Sequence, residues 1–241
     1  MNTLYEPHGK AAAYAELAVN IFHQCSHGCR YCYCSRILRK STFNFFCREP
    51  APRPGLVSDL IHACEEWAAV TDERPAVHLS FIGDPLPRGS DHKVTNQVIH
   101  TLHRFGFPVQ LLSKSGILEP DTLRELSERD SYWITLTSVN RDSTDYWEPF
   151  AGHVGQRIVA LGEAQKAGLR TGVSLEPVLS LEDARGVLLA LAGCTVDPVW
   201  VGPINHLARG YDWLEVKQAL GETAKATGLP VRWKDEPCRT R

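Results

Sequence analysis

The chain predicts an α/β fold built on a parallel sheet. Three observations point there: six short apolar runs, helical patterns between them, and 241 residues, enough for one large α/β domain or two small ones. The runs are Leu17–Phe22, Ala76–Ile82, Pro108–Ser113, Tyr132–Thr137, Arg170–Glu176 and Pro198–Val201. Short runs rich in Val, Ile, Leu and aromatics fit strands buried on both faces. Strands alternating with helices imply right-handed crossovers. Six strands are too few for a closed eight-stranded barrel. An open six-strand barrel and a doubly wound sheet both fit.

The helices follow in order. Val57–Val70 sets Leu60, Ile61, Cys64, Trp67 and Ala68 on one stripe. Val94–Phe105 repeats Val98, Ile99, Leu102 and Phe105. Asp121–Arg129 opens on a capping-box pattern at Asp121, and Gly155–Ala167 stops before Gly168, a natural C-cap. Leu181–Leu191 and Trp213–Thr227 complete the set. Residues 41–55, with Pro50, Pro52, Pro54 and Gly55, read as a loop.

No apolar run approaches the ~20 residues of a membrane span, and Met1 to Lys10 lacks the layout of a signal peptide. A cytoplasmic protein is expected, with no membrane partner. Net charge is −2, yet residues 30–53 hold Arg30, Arg36, Arg39, Lys40, Arg48 and Arg53 against Glu49, a local +5. Such a segment suits phosphates or a solvated helix face. Of eight cysteines, four fall between positions 25 and 34. In a reducing compartment, clustered cysteines bind metal or do chemistry more often than they form disulfides.

The cysteines sit just after the first strand, where parallel α/β folds place their chemistry. Cys25, Cys29 and Cys32 have Cys-x3-Cys-x2-Cys spacing. Three thiolates on one loop hold three corners of a cubane cluster and leave the fourth iron open for a ligand. The alternative is structural zinc on Cys25, Cys29, Cys32 and Cys34, or with His27 replacing one. Structural zinc usually draws paired ligands from two separated knuckles, and no second knuckle is evident. Other candidates stand at strand ends. Taken alone, Gly83-Asp84-Pro85 reads as a plain turn, stiffened by Pro85, whose Asp84 carboxylate could meet an ammonium. Lys114 is a compact cation, and Glu176 suits a substrate contact or a helix cap. Asn205 and His206 follow the last strand, and His78, alternating with apolar neighbours, reads as a satisfied core histidine.

The unbroken run Cys25-Ser26-His27-Gly28-Cys29-Arg30-Tyr31-Cys32-Tyr33 resembles the radical S-adenosylmethionine (SAM) superfamily, in the branch that includes spore photoproduct lyase. The resemblance extends from about Leu17 to Val201. It implies a partial (β/α)6 barrel forming a single domain over 1–241, with a cluster loop at 23–34 and a C-terminal extension from about 205. It further implies a [4Fe–4S] cluster on Cys25, Cys29 and Cys32. The amino and carboxylate groups of SAM then chelate the open iron.

Residue by residue, Gly83 and Asp84 match the turn that meets the SAM amino group, and Lys114 the lysine that reaches its carboxylate. Thr135, then Thr137, match a strand hydroxyl that contacts SAM. Tyr33 also packs near the adenine. Glu148 and Arg157 resemble a clamp over the barrel mouth. The lyase relies on a downstream cysteine as hydrogen donor, and none stands at a matching place here. That argues against direct thymine-dimer repair and leaves Tyr31 and Tyr33 as candidate hydrogen relays. The implied activity is hydrogen abstraction from substrate by a 5′-deoxyadenosyl radical, with lyase or isomerase chemistry on a modified pyrimidine in DNA or on a nucleotide. Flavodoxin or ferredoxin would supply the electron. The alternatives are a radical SAM enzyme for a small metabolite or peptide, and a zinc-stabilised nucleic-acid-binding protein without catalysis.

Overall fold

A computed structural model describes residues 3–39, 45–204, 207 and 210–234. Its strands are β1 Leu17–Val19, β2 Val77–Leu79, β3 Val109–Ser113, β4 Ser131–Thr135, β5 Arg170–Val178, β6 Val199–Pro203 and β7 Val231–Trp233. They form one sheet whose strand order follows chain order, and every pairing is parallel. A doubly wound sheet reverses its order partway, and this one does not. Its edges, β1 and β7, are not paired with each other. The expected open barrel is therefore present, with one strand more than the apolar runs predict.

The helices are α1 Cys34–Ile37, α2 Leu56–Val70, α3 Lys93–Arg104, α4 Pro120–Glu125, α5 Arg141–Trp147, α6 Val154–Lys166, α7 Leu181–Ala190 and α8 Trp213–Thr227. Side chains cap several of them. Asn140 accepts from the Ser143 amide, Ser180 from Asp183, and Asp212 from Leu214 and Glu215. The capping box expected at Asp121 is absent. The helix starts one residue earlier, at Pro120, whose fixed φ suits the first helical position. Among the described residues, no helix is long and apolar enough to cross a membrane.

Strand alternation sorts the side chains onto two faces. Leu17, Val19, Val77, Leu79, Val109, Leu111, Ile134, Val173 and Val201 join the hydrophobic core and are buried. Helix residues such as Leu60, Ile99, Leu161 and Leu188 belong to the same core. Each such side chain stabilises the fold by roughly 1.5–3 kcal/mol. The intervening positions face the barrel lumen: His78 beside Gln110, Trp133 beside Gly172, Ser174 beside Trp200. That face is aromatic and polar.

Candidate active site

The cluster loop is held from three sides. The side chain of Asn20, just beyond β1, accepts from the amides of Phe81 and Ile82 at 2.9 and 2.8 Å. Cys25 exchanges main-chain bonds with Phe45 and Cys47. On the far side, Arg30 N donates to Trp147 O at 2.9 Å and Phe150 N to His27 O at 3.2 Å. Gly83 crosses under the loop with φ +79°, and a Cβ there would lie 2.8 Å from the carbonyl of Gln24. The positive φ and this close approach explain the glycine.

The thiols suit a polynuclear centre. Burial pushes the Cys29 thiol up to about 12, with Glu148 adding to the effect. Burial, Asp84 and the neighbouring Cys29 and Cys32 raise Cys25 well above its ordinary value. A hydrogen bond with Cys34 draws Cys32 down. Thiols that resist ionisation in one another's company become thiolates when metal charge balances them. Among the described residues, no three His, Cys, Asp or Glu side chains converge on a single ion. A cubane needs no such convergence, since each thiolate binds a different iron.

Asp84 joins the loop to β3. Its Oδ1 accepts from Leu86 N at 2.8 Å and Ser113 Oγ at 2.7 Å, and its Oδ2 from Lys114 N at 2.8 Å. His27 Nδ1 lies 3.4 Å from Oδ2. The carboxylate expected to meet an ammonium is thus directed at protein groups. Burial lowers the His27 pKa to about 4 against the pull of Asp84, so the ring is neutral, and its buried Nε2 has no hydrogen-bond partner among the described residues. Sequence reasoning gave His27 only a zinc role, although it stands inside the motif. The Lys114 ammonium makes no hydrogen bond or ion pair among the described residues. Burial works against its charge, but Cys29 and Glu148 outweigh that and raise its pKa.

The expected Glu–Arg clamp is present. Arg157 Nη2 meets Glu148 Oε2 at 2.5 Å with both side chains buried. Arg157 also donates to the carbonyls of Gly152 and Thr135, at 2.8 and 2.9 Å. Glu148 accepts from the hydroxyls of Tyr31 and Thr137. Tyr31, Thr137 and the Thr135 carbonyl therefore meet at the clamp. Tyr33 donates to Phe81 O at 2.6 Å and is partly exposed.

Glu176 lies apart from this group, in the lumen. Lys234 Nζ approaches its Oε2 at 2.9 Å, and the Tyr14 hydroxyl donates to the same oxygen. Neither partner was visible from sequence, because Tyr14 lies in an irregular segment and Lys234 in the expected C-terminal extension. His78 is buried as expected, but its Nε2 has no hydrogen-bond partner among the described residues. Arg30, Arg36, Arg39 and Arg48 of the basic segment are exposed, and Arg30 stacks over Tyr146 at 4.4 Å. Lys40, Asn205, His206 and Cys238 lie outside the described residues.

No curated protein sequence matches this chain. Among solved structures, a cysteine-to-serine variant of spore photoproduct lyase aligns with a TM-score of 0.72 at 14% identity, over 97% of this chain and 81% of that one. Another variant, with bound AdoMet and dinucleoside spore photoproduct, gives 0.63 at 15%, over 90% and 63%. SuiB of Streptococcus suis bound to S-adenosylmethionine gives 0.68 at 11%, over 92% of this chain and 50% of SuiB. At such identities the likeness is one of fold. The radical SAM family model, however, matches residues 19–184, well over half of the sequence. The chain belongs to the radical SAM superfamily, whose members use a [4Fe–4S] cluster and SAM.

Proposed function

We propose that this protein is a radical SAM enzyme that abstracts hydrogen from a nucleobase or nucleotide. The observation that carries the catalytic part is the setting of Cys25, Cys29 and Cys32. They lie on one loop, Cys29 buried and Cys25 and Cys32 partly so, and the Lys114 ammonium stands 5.8 Å from the ring of Tyr31, which belongs to that loop. In this reading Cys25, Cys29 and Cys32 would hold the cluster. Bound together, cluster and SAM supply a 5′-deoxyadenosyl radical. Lys114 would bind the SAM carboxylate, and the main chain of the Gly83–Asp84 turn would receive the amino group, since both Asp84 oxygens are taken by protein groups. Thr135 flanks the cofactor from β4. Tyr33 lies at the adenine side of the loop. The Glu148–Arg157 clamp fixes Tyr31, and with it the cysteine loop, against the barrel mouth. The electron comes from a donor such as flavodoxin or ferredoxin.

The nucleobase part is supported by the fold shared with a lyase crystallised with a dinucleoside photoproduct and by the exposed arginines beside the loop. A peptide substrate is the second reading, favoured by the fold shared with SuiB, which is solved with its precursor peptide. The test is anaerobic reconstitution followed by SAM and dithionite. About four irons per chain and release of 5′-deoxyadenosine are expected, both lost in Cys29→Ala. A colourless protein holding one zinc overturns the proposal. Product assays with nucleosides, DNA and peptides then separate the substrates. A DNA substrate also requires binding that weakens steeply with salt.

A further inference from the structure

The lumen face of the sheet ends in a cradle around one phenol ring. Tyr14 reaches in from the short 3-10 turn Gly9–Ala13, which buries none of its own residues. Its ring centroid lies 5.5 Å from His78 and 6.1 Å from each of Phe81, Trp133 and Trp200. Lys234 Nζ stands 3.3 Å from the ring centre. The hydroxyl donates to Glu176 and lies 2.7 Å from Ser174 Oγ. Aromatic faces and a cation arranged this way suit a single planar ring.

Two further features exceed what a packed tyrosine needs. His78 Nδ1 lies 3.2 Å from Gln110 Nε2. An amide nitrogen only donates, so Nδ1 accepts and Nε2 carries the proton. That N–H is buried and unmet, at a cost of about 1–3 kcal/mol, and a ligand acceptor would satisfy it. Burial, then the charge of Lys234, push the His78 pKa down to about 3, so the ring is a neutral donor. The second feature is the Glu176–Lys234 pair. It sets an acceptor and a donor side by side at 2.9 Å, which complements the adjacent N–H and C=O of a lactam. Glu176 fits there because a Cβ on Gly202 would fall 2.3 Å from its Oε1. The two charges cancel, so an uncharged ring leaves the pair intact.

We infer that the lumen binds one uncharged planar ring with a lactam edge, and that Tyr14 occupies its place until it arrives. This rests on the proposed function, which requires a substrate in the lumen. The reconstituted holoprotein is titrated with uracil, and with orotate as its carboxylated analogue, following tryptophan fluorescence. Uracil should quench saturably and orotate should not. Tyr14→Ala opens a ring-sized space and should tighten uracil at least tenfold. His78→Phe keeps a ring stacked on Phe81 but removes the donor, and should weaken uracil at least tenfold. Uracil should also speed amide exchange across residues 9–16 of the wild type as Tyr14 leaves. Uridine or oligouridylate that displaces uracil identifies a ring carried on a sugar or a chain, and either result supports the site. No saturable quench in Tyr14→Ala, equal binding of orotate, unchanged affinity in His78→Phe, or unchanged exchange overturns the inference. Iron content and 5′-deoxyadenosine release by the same wild-type preparation report on the radical SAM reading separately.

Discussion

Replacing Glu148 with glutamine removes one charge from the clamp and almost no volume. Arg157 is then left buried with its Nη2 facing an amide instead of a carboxylate 2.5 Å away. The new amide also cannot serve Arg157 as acceptor on one side and both Tyr31 and Thr137 on the other, because half of it is a donor. Burial opposes ionisation of Glu148, yet Arg157 and then Lys114 outweigh it and hold the carboxyl below its ordinary value. The wild-type pair is therefore fully charged near neutrality. Breaking a buried ion pair from one side costs about 3–5 kcal/mol. In a chain this long, 1 kcal/mol corresponds to about 2–4 °C in Tm, so a fall of about 6–20 °C is expected by calorimetry. Iron loading should fall too, since Glu148 lies between Trp147 and Phe150, which bind the main chain of Arg30 and His27. The double variant Glu148→Leu, Arg157→Met removes both charges and should cost less than the sum of Glu148→Leu and Arg157→Met measured singly. A Tm within about 2 °C of wild type in Glu148→Gln, or a double variant that merely adds the two single losses, refutes the reasoning.

Three other outcomes follow from single residues. Lys114→Met should weaken SAM binding to the reconstituted protein about tenfold to a hundredfold, the effect of losing a charge-assisted bond worth about 1.5–3 kcal/mol; unchanged affinity removes Lys114 from the cofactor site. Gly83→Ala should cost about 1–3 kcal/mol and lower iron content, because the new Cβ meets the Gln24 carbonyl at 2.8 Å; a wild-type melt would count against that contact. Burial opposes the charge of Asp130, but bonds from His103, Ser127 and the Val109 amide hold its pKa below 3.8. The unfolded chain therefore takes this proton first. The stability it supplies is complete above that value and disappears as pH falls through the folded one. Asp130→Asn should be less stable at neutral pH and show a shallower acid limb in pH-dependent unfolding, and an acid limb identical to wild type would exclude the role.

The sheet was legible because most helix-facing strand residues are apolar and each run is short. β7 was not, being three residues with Arg232 at its centre, too brief and too mixed to register as a run. α5 escaped for a related reason: Arg141–Trp147 is polar over most of its length and is recognised by its Asn140 cap, not by periodicity. The cysteine loop and the Glu148–Arg157 clamp were readable because their spacing is local, or because the branch resemblance supplied the pairing. Asp84 shows the limit. Its position in the turn was plain, but the direction of its two oxygens depends on Ser113 and Lys114, about thirty residues away.

The lumen was the least legible region, for a topological reason. Its charged pair joins residue 176 to residue 234, and its central ring comes from residue 14. No window of sequence contains all three, and each has an ordinary local reading: a strand-end carboxylate, a tail lysine, a tyrosine before β1. The barrel brings them together because consecutive parallel strands curve until the first and last segments face the same interior. In the proposed reading the cluster loop is encoded in twelve consecutive residues, 23–34, whereas the lumen face is assembled from nearly the whole chain. Members of one superfamily can therefore keep the former constant while the latter varies in chemistry, and substrate must be argued from the lumen side chains of each chain, here His78, Gln110, Glu176 and Lys234, and not from the motif.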